Sequence, residues 1–314
     1  AVNKDTPSYR DFLLNDETGV LPRWVRRGAC GWRLDVVDEL PVDMVLEMRK
    51  AVKQADPEAT LLGEVWEDAS NKTAYGVNRS YCLGDMLDSV MNYPLRCAVI
   101  DFFTGVIDAY QLRRVILHQQ EVYPAPFYYS LMNLLGSHDV DRIRSALATE
   151  VVIRGLSREA QLKLRFSEAD LNRALELERL CAVVQFSIPG VPSIYYGDEQ
   201  GMCGVCDPFN RLPFAEGDRA LHDFYAALAA ARNSSPALSA GEAVFSAAST
   251  DVLLILRYIT KGRDAFGHHA ENGAWLAVIN RGEAAELDVD CAAAGHSRVH
   301  VSIGAGKAEL MKLY

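Results

Sequence analysis

Arg33 and Asp35 stand two apart in Gly31-Trp32-Arg33-Leu34-Asp35-Val36-Val37, an otherwise apolar, β-prone run. Alternate side chains of a strand share a face, so the guanidinium and the carboxylate point the same way. A charged pair in a buried strand costs free energy unless it is partnered or lies at a polar mouth. One such pair alone reads as a structural ion pair. The pattern, however, recurs. Thr60-Leu61-Leu62-Gly63-Glu64-Val65-Trp66 and Asn133-Leu134-Leu135-Gly136-Ser137-His138-Asp139 also run apolar and then place a carboxylate at or near the strand's end. Carboxylates repeated at strand ends are the groups that proton-transfer and nucleophilic chemistry requires.

The elements between these runs are helical. Residues 8 to 27 carry Phe12, Leu13, Val20, Leu21, Trp24 and Val25 at helical spacing, with an interruption expected between Asn15 and Gly19. Helices are also expected over 41–55, 101–121, 172–186 and 218–233, and a short strand near 89–93. The segment after Asp139 reads as long, polar and basic, and 190–199 as a buried strand ending in Asp198 and Glu199. Strands alternating with helices argue for a parallel sheet with crossover helices. In such folds chemistry sits at the carboxyl ends of the strands, where Asp35, Glu64, Asp139 and Asp198 fall. Beyond Ser234-Ser235-Pro236 only strand-like runs remain, at 252–258, 275–280, 287–289 and 299–303. The expected division is therefore an α/β domain over 1–235 and a small antiparallel β domain over 236–314.

Composition narrows the partners. With 314 residues, 49% hydrophobic and 24% charged, the chain is globular rather than disordered. A net charge of −10 argues against nucleic acid or an anionic membrane surface. No apolar run approaches the roughly 20 residues of a membrane span. Seven cysteines, odd in number and mostly inside apolar segments, suggest reduced thiols and a cytoplasmic location. Cys203-Gly204-Val205-Cys206 has no second pair, and His268 and His269 read as solvated loop residues. No metal and no cofactor are expected.

The Asp35 run, Gly63-Glu64-Val65-Trp66, and Asn133 through His138-Asp139 resemble three sequence regions of the alpha-amylase family of glycoside hydrolases, in the family's order. Asn92-Tyr93-Pro94-Leu95 and the 190–199 run resemble its sixth and eighth strand regions. Asp207-Pro208-Phe209-Asn210-Arg211-Leu212-Pro213 is similar to a loop of the neopullulanase and cyclomaltodextrinase branch. The resemblance implies a (β/α)8 TIM-type barrel and hydrolysis of α-1,4 or α-1,6 glucans with retention. Retention needs two carboxyl groups about 5–5.5 Å apart, and adjacent strands spaced about 4.8 Å suit that separation.

Carried over by position, Asp35 is the nucleophile with Arg33 holding it ionised, and Glu64 is the acid/base. Asp139, helped by His138, stabilises the oxocarbenium-like transition state. Trp66, Tyr93, Asp207 and Arg211 become sugar-contacting residues, although Asp207 and Arg211 read equally as a loop ion pair. Asp38 and Glu39 either line acceptor subsites or cap the next helix, and the cap is the simpler reading.

The resemblance is incomplete. About five of the family's eight strands have counterparts, strands 4–8, and the family's Asn-His region has none before Asp35. The chain thus reads as the C-terminal part of the barrel followed by an all-β sandwich. A barrel cut open exposes unpaired edges, so either self-association or a missing N-terminal barrel half is expected as partner, beside an oligosaccharide substrate. Two other functions fit the same residues: a transglycosylase or isomerising relative, and a non-catalytic carbohydrate-binding or interaction protein.

Overall fold

The computed structural model describes residues 3–314. Two helices open the chain, α1 (Pro7–Leu14) and α2 (Val20–Arg26). They are separate because the Asn15 side chain accepts the N–H groups of Glu17 and Thr18 at 3.0 and 3.2 Å, which diverts the backbone from the helix ladder. Next come β1 (Gly31–Leu34), a 3₁₀ turn (Val37–Glu39), α3 (Val42–Ala55) and β2 (Thr60–Gly63). A small hairpin, β3 (Thr73–Ala74) with β4 (Val77–Asn78), precedes β5 (Ser89–Val90).

The helix expected over 101–121 is two helices, α4 (Tyr93–Phe103) and α5 (Ala109–Val122). Gly105 takes a left-handed φ of 85°. Asp108 and Gln111 then exchange side chain-to-backbone hydrogen bonds at 2.8 and 2.9 Å, a capping box that starts the second helix. After α6 (Ala125–Ser130) and β6 (Met132–Leu134), the segment read as merely polar contains α7 (Ile143–Leu147) and α8 (Arg158–Lys163). The long α9 (Glu168–Ser187) carries its own Ser167–Asp170 capping box. It leads to β7 (Val191–Ser193), where Val191 is 54% exposed, so this strand is not the buried one its apolar run suggested. Helices α10 (Arg219–Asn233) and α11 (Pro236–Ala240) follow. The chain ends in strands β8 (Glu242–Ala247), β9 (Val252–Ile259), β10 (Gly273–Asn280), β11 (Ala285–Asp290), β12 (Arg298–Ile303) and β13 (Lys307–Lys312). The first and last of these six were not expected from the sequence.

Two compact units result, one of residues 1–94 with 119–132, the other of 95–118 with 133–314. In the first, β1, β2 and β5 form a parallel sheet in that order, with Arg33 opposite Leu62 and Leu34 opposite Gly63. Gly31 is required at the entry of β1, because a Cβ there would lie 2.0 Å from the Thr60 carbonyl oxygen. The core joins Val37, Met44, Val45, Val52, Leu61 and Met86.

Asp88 ties α3 to this sheet: it accepts the Leu61 N–H at 2.8 Å and pairs with Arg49 at 2.7 Å and Lys53 at 3.2 Å. Burial pushes its carboxyl up, but the Leu61 N–H and the two cations outweigh burial and hold it below the ordinary aspartate value. A depressed folded-state pKa contributes stability that is present above about pH 4 and lost as pH falls through and below that value. Asp88→Ala is therefore expected to cost about 2–3 kcal/mol at pH 7 in urea unfolding, with the deficit shrinking towards pH 3. A deficit independent of pH would show that the carboxylate's charge is irrelevant.

In the second unit, β13, β10, β9 and β8 form an antiparallel sheet, with β11 and β12 as a separate pair. Successive side chains of β9 serve two cores, as strand geometry dictates. Val252, Leu254 and Leu256 join Val289, Val301 and Ile303. Leu253 and Ile255 join Leu180, Val184, Leu221 and Tyr225 of the helices. On that second face Arg257, fully buried, donates to the carbonyls of Ser187 and Gly241 at 2.9 and 3.0 Å.

Candidate active site

In the first unit, Asp35 and Glu64 each lie one residue past the carboxyl end of adjacent parallel strands, β1 and β2. Their environments differ sharply. The Asp35 side chain is 73% exposed, that of Glu64 only 4%. One guanidinium serves both: Nη1 of Arg33 donates to Asp35, and Nη2 contacts Glu64 Oε2 at 3.0 Å. Glu64 also accepts the Val36 N–H at 2.8 Å and the Trp66 indole N–H at 3.1 Å.

The Val36 contact requires an unusual backbone. Val36 has φ 42° and ψ 55°, a left-handed conformation that a β-branched residue adopts at a cost of about 1–3 kcal/mol. This turn aims the Val36 N–H at Glu64 while its neighbour Asp35 stays open to solvent. Trp66 stacks face to face on Tyr93, ring centroids 4.1 Å apart and 3° from parallel, and Tyr93 is buried. Each ring therefore has one face already covered by the other. Behind them Asn92 and Gln119 exchange reciprocal hydrogen bonds at 3.1 and 2.7 Å, which fixes the start of α4.

In the second unit, the segment after β6 presents His138 and Asp139. His138 Nε2 lies 2.9 Å from one Asp139 carboxylate oxygen, and Arg211 Nη2 lies 3.3 Å from the other. Arg211 also pairs with Asp207 at 2.7 Å and donates to the His138 carbonyl at 3.0 Å. The loop ion pair of Asp207 and Arg211 is thus real, and it extends to Asp139.

The support beneath was not visible in sequence. Asn210 is fully buried and donates to the carbonyls of Ser137 and Val140 at 3.0 and 2.6 Å, stitching the 207–213 loop to the His138–Asp139 turn. Arg142, also fully buried, donates to the Asn210 and Tyr196 carbonyls at 3.0 and 2.7 Å and to Asp198 at 2.9 Å. Its guanidinium lies 4.5 and 4.8 Å from the ring centres of Tyr195 and Tyr196. Asp198, expected to end a strand over 190–199, instead lies five residues past β7 in a 3₁₀ turn (Asp198–Gln200) and is a closed ion-pair partner. Burial, reinforced by Glu178, pushes its carboxyl up against the pull of Arg142. Gly136 makes room for it, since a Cβ at that position would lie 2.2 Å from Asp198 Oδ2.

Among the described residues, no group of three or more His, Cys, Asp or Glu side chains is placed to hold a metal ion. Cys203 and Cys206 are free thiols, both pushed up by burial, and His268 and His269 are exposed. No helix among the described residues is long and apolar enough to cross a membrane.

The family model for the alpha amylase catalytic domain matches residues 5–251. An amylopullulanase of Thermoanaerobacter thermohydrosulfuricus is 34% identical over 302 residues, which is 90% of this chain and 19% of the relative. Neopullulanase 2 of Thermoactinomyces vulgaris is 33% identical over 76% of this chain and 35% of its own length. Among solved structures, the cyclic α-maltosyl-(1→6)-maltose hydrolase of Arthrobacter globiformis in complex with maltose superposes with a TM-score of 0.77 at 26% identity, covering 99% of this chain and 61% of that one. The chain spans between 15% and 22% of the length of three similar amylopullulanases.

Proposed function

The chain belongs to the alpha-amylase family of glycoside hydrolases, and from that premise we propose that it hydrolyses α-1,4 or α-1,6 glucosidic bonds of maltooligosaccharides or related glucans by double displacement. Asp35 is the nucleophile, Glu64 the proton donor and then the base, and Asp139 the stabiliser of positive charge on the sugar ring. The observation that carries this reading is the Arg33 fork: one guanidinium contacts two carboxylates at the ends of adjacent parallel strands. The exposed carboxylate suits attack on an incoming sugar, and the buried one suits proton transfer away from bulk water. Relatives named for pullulan and for cyclic glucans support a glucan as substrate.

On the same reading, residues 1–235 are the C-terminal part of a (β/α)8 barrel and 236–314 a β-sandwich module. Among the described residues β1 pairs on one side only. Its other edge accepts a further parallel strand, from barrel units carried elsewhere or from a second copy, and light scattering separates the two sources.

The test is hydrolysis of maltoheptaose followed by NMR of the newly released reducing end. Initial appearance of the α-anomer, absent in Glu64→Gln, is the expected result. Initial release of the β-anomer overturns the double displacement, and binding without turnover overturns hydrolysis by this chain. Longer oligosaccharides as the main products would instead identify transfer.

A further inference from the structure

We propose that Tyr75, at the tip of the β3–β4 hairpin, is a platform for a sugar ring of a glucan chain beyond the residues flanking the scissile bond; this rests on the glucan-hydrolase reading above. Tyr75 is 74% exposed, and a lone exposed aromatic residue needs no explanation by itself. What sets it apart is how firmly it is held. Tyr75 has φ 53° and Gly76 φ 73°, the paired left-handed residues of a tight hairpin turn. Glycine, asparagine or aspartate meets that requirement with least strain, so an aromatic residue here is a local penalty with no packing return.

The hairpin is also anchored to the segment that follows Asp35. The Tyr75 hydroxyl donates to Glu39. Lys72 bridges Asp38, at 3.1 Å, and Glu67. Tyr81 donates to the Asp38 carboxylate at 2.7 Å, and Arg79 donates to the Asp38 and Leu40 carbonyls at 3.0 and 2.9 Å. Asp38 is thus structurally engaged, while Glu39 and Tyr75 meet at the surface. An aromatic face with a carboxylate and a hydroxyl at its edge is the combination that receives a sugar: apolar C–H surface on the ring, hydroxyls on the polar rim. Because the hairpin is anchored, little conformational freedom is lost when a ligand lands on it.

The experiment is calorimetric titration of maltotriose and maltoheptaose into the Glu64→Gln chain, in which cleavage is expected to be slow, and into its Tyr75→Ala and Tyr75→Phe derivatives. Tyr75→Ala is expected to weaken maltoheptaose about three- to tenfold, the size of one aromatic contact, and to leave maltotriose unchanged. Tyr75→Phe keeps the ring and loses only the Glu39 hydrogen bond, so its loss is the smaller. Equal maltoheptaose affinity with and without the ring overturns the proposal, as does a Phe variant as weak as the Ala variant. Failure of the Glu64→Gln chain to bind either sugar overturns the glucan reading itself, and the platform with it.

Discussion

Glu64→Gln is expected to lower kcat on maltooligosaccharides by about 10²–10⁴-fold, the usual contribution of a positioned general acid or base. The substitution is nearly isosteric, but the Val36 and Trp66 N–H groups meet different oxygens of Glu64, at 2.8 and 3.1 Å, so the single amide oxygen keeps one of the two and the other loses its acceptor. The Arg33 contact at 3.0 Å weakens, because a charged partner becomes neutral. The diagnostic readout is the leaving group. An aryl glycoside whose leaving group departs without a proton should lose far less in the first step, visible as a burst of released phenol followed by slow turnover. Asp35→Asn removes the proposed nucleophile and should suppress the burst as well. Equal losses for natural and aryl substrates in Glu64→Gln would sink the acid/base assignment, and a full burst in Asp35→Asn would sink the nucleophile.

The second large effect is on stability. Arg142→Met is expected to destabilise the chain by about 3–5 kcal/mol, because it strands a buried carboxylate rather than removing a pair. Asp198 is 3% exposed, and its guanidinium partner lies 2.9 Å away. Without that partner Asp198 must take up a proton or draw in water. The Tyr196 and Asn210 carbonyls lose their donors in the same step, and with them the support for the loop that holds Arg211. Asp198→Asn should cost less, since an amide oxygen can still accept from Arg142. Guanidinium chloride unfolding of the two variants checks the order. An Arg142→Met loss below about 1 kcal/mol would place this pair among the surface-type ion pairs that contribute little.

The two predictions divide along what could be read from the residues. Asp35 and Glu64 were legible because a strand announces itself by local apolar pattern and a carboxylate just past it stands out. Helices α3, α9 and α10 were legible from helical spacing. The start of α10 was read at its capping residue Asp218, but α9 begins at Glu168, four residues before the expected 172, where the Ser167–Asp170 capping box sets its start. The short α7 and α8 were not, since one or two turns give too few residues for a period to emerge from a basic segment. Strand β13 was missed for a related reason: none of its six residues is fully buried, and Lys307, Glu309 and Lys312 at its exposed positions leave only Ala308, Leu310 and Met311 as apolar signal.

What the sequence determined by itself was the alternation of the longer strands and helices, the predominance of strands towards the end of the chain, and the apolar runs that carry Asp35, Glu64, Asp139 and Asp198. These are properties of neighbours along the chain. Which of those acids is open and which is closed was decided only by tertiary structure. Asp35 and Asp198 look alike in their local runs, yet one is 73% exposed and the other 3%. The difference comes from Arg142, 56 residues before Asp198, and from Asn210, 68 residues beyond Arg142. The Trp66–Tyr93 stack and the Tyr75–Glu39 link have the same origin. Local pattern reports the period of an element. Solvent access and hydrogen-bond partners depend on what the fold carries in from elsewhere in the chain.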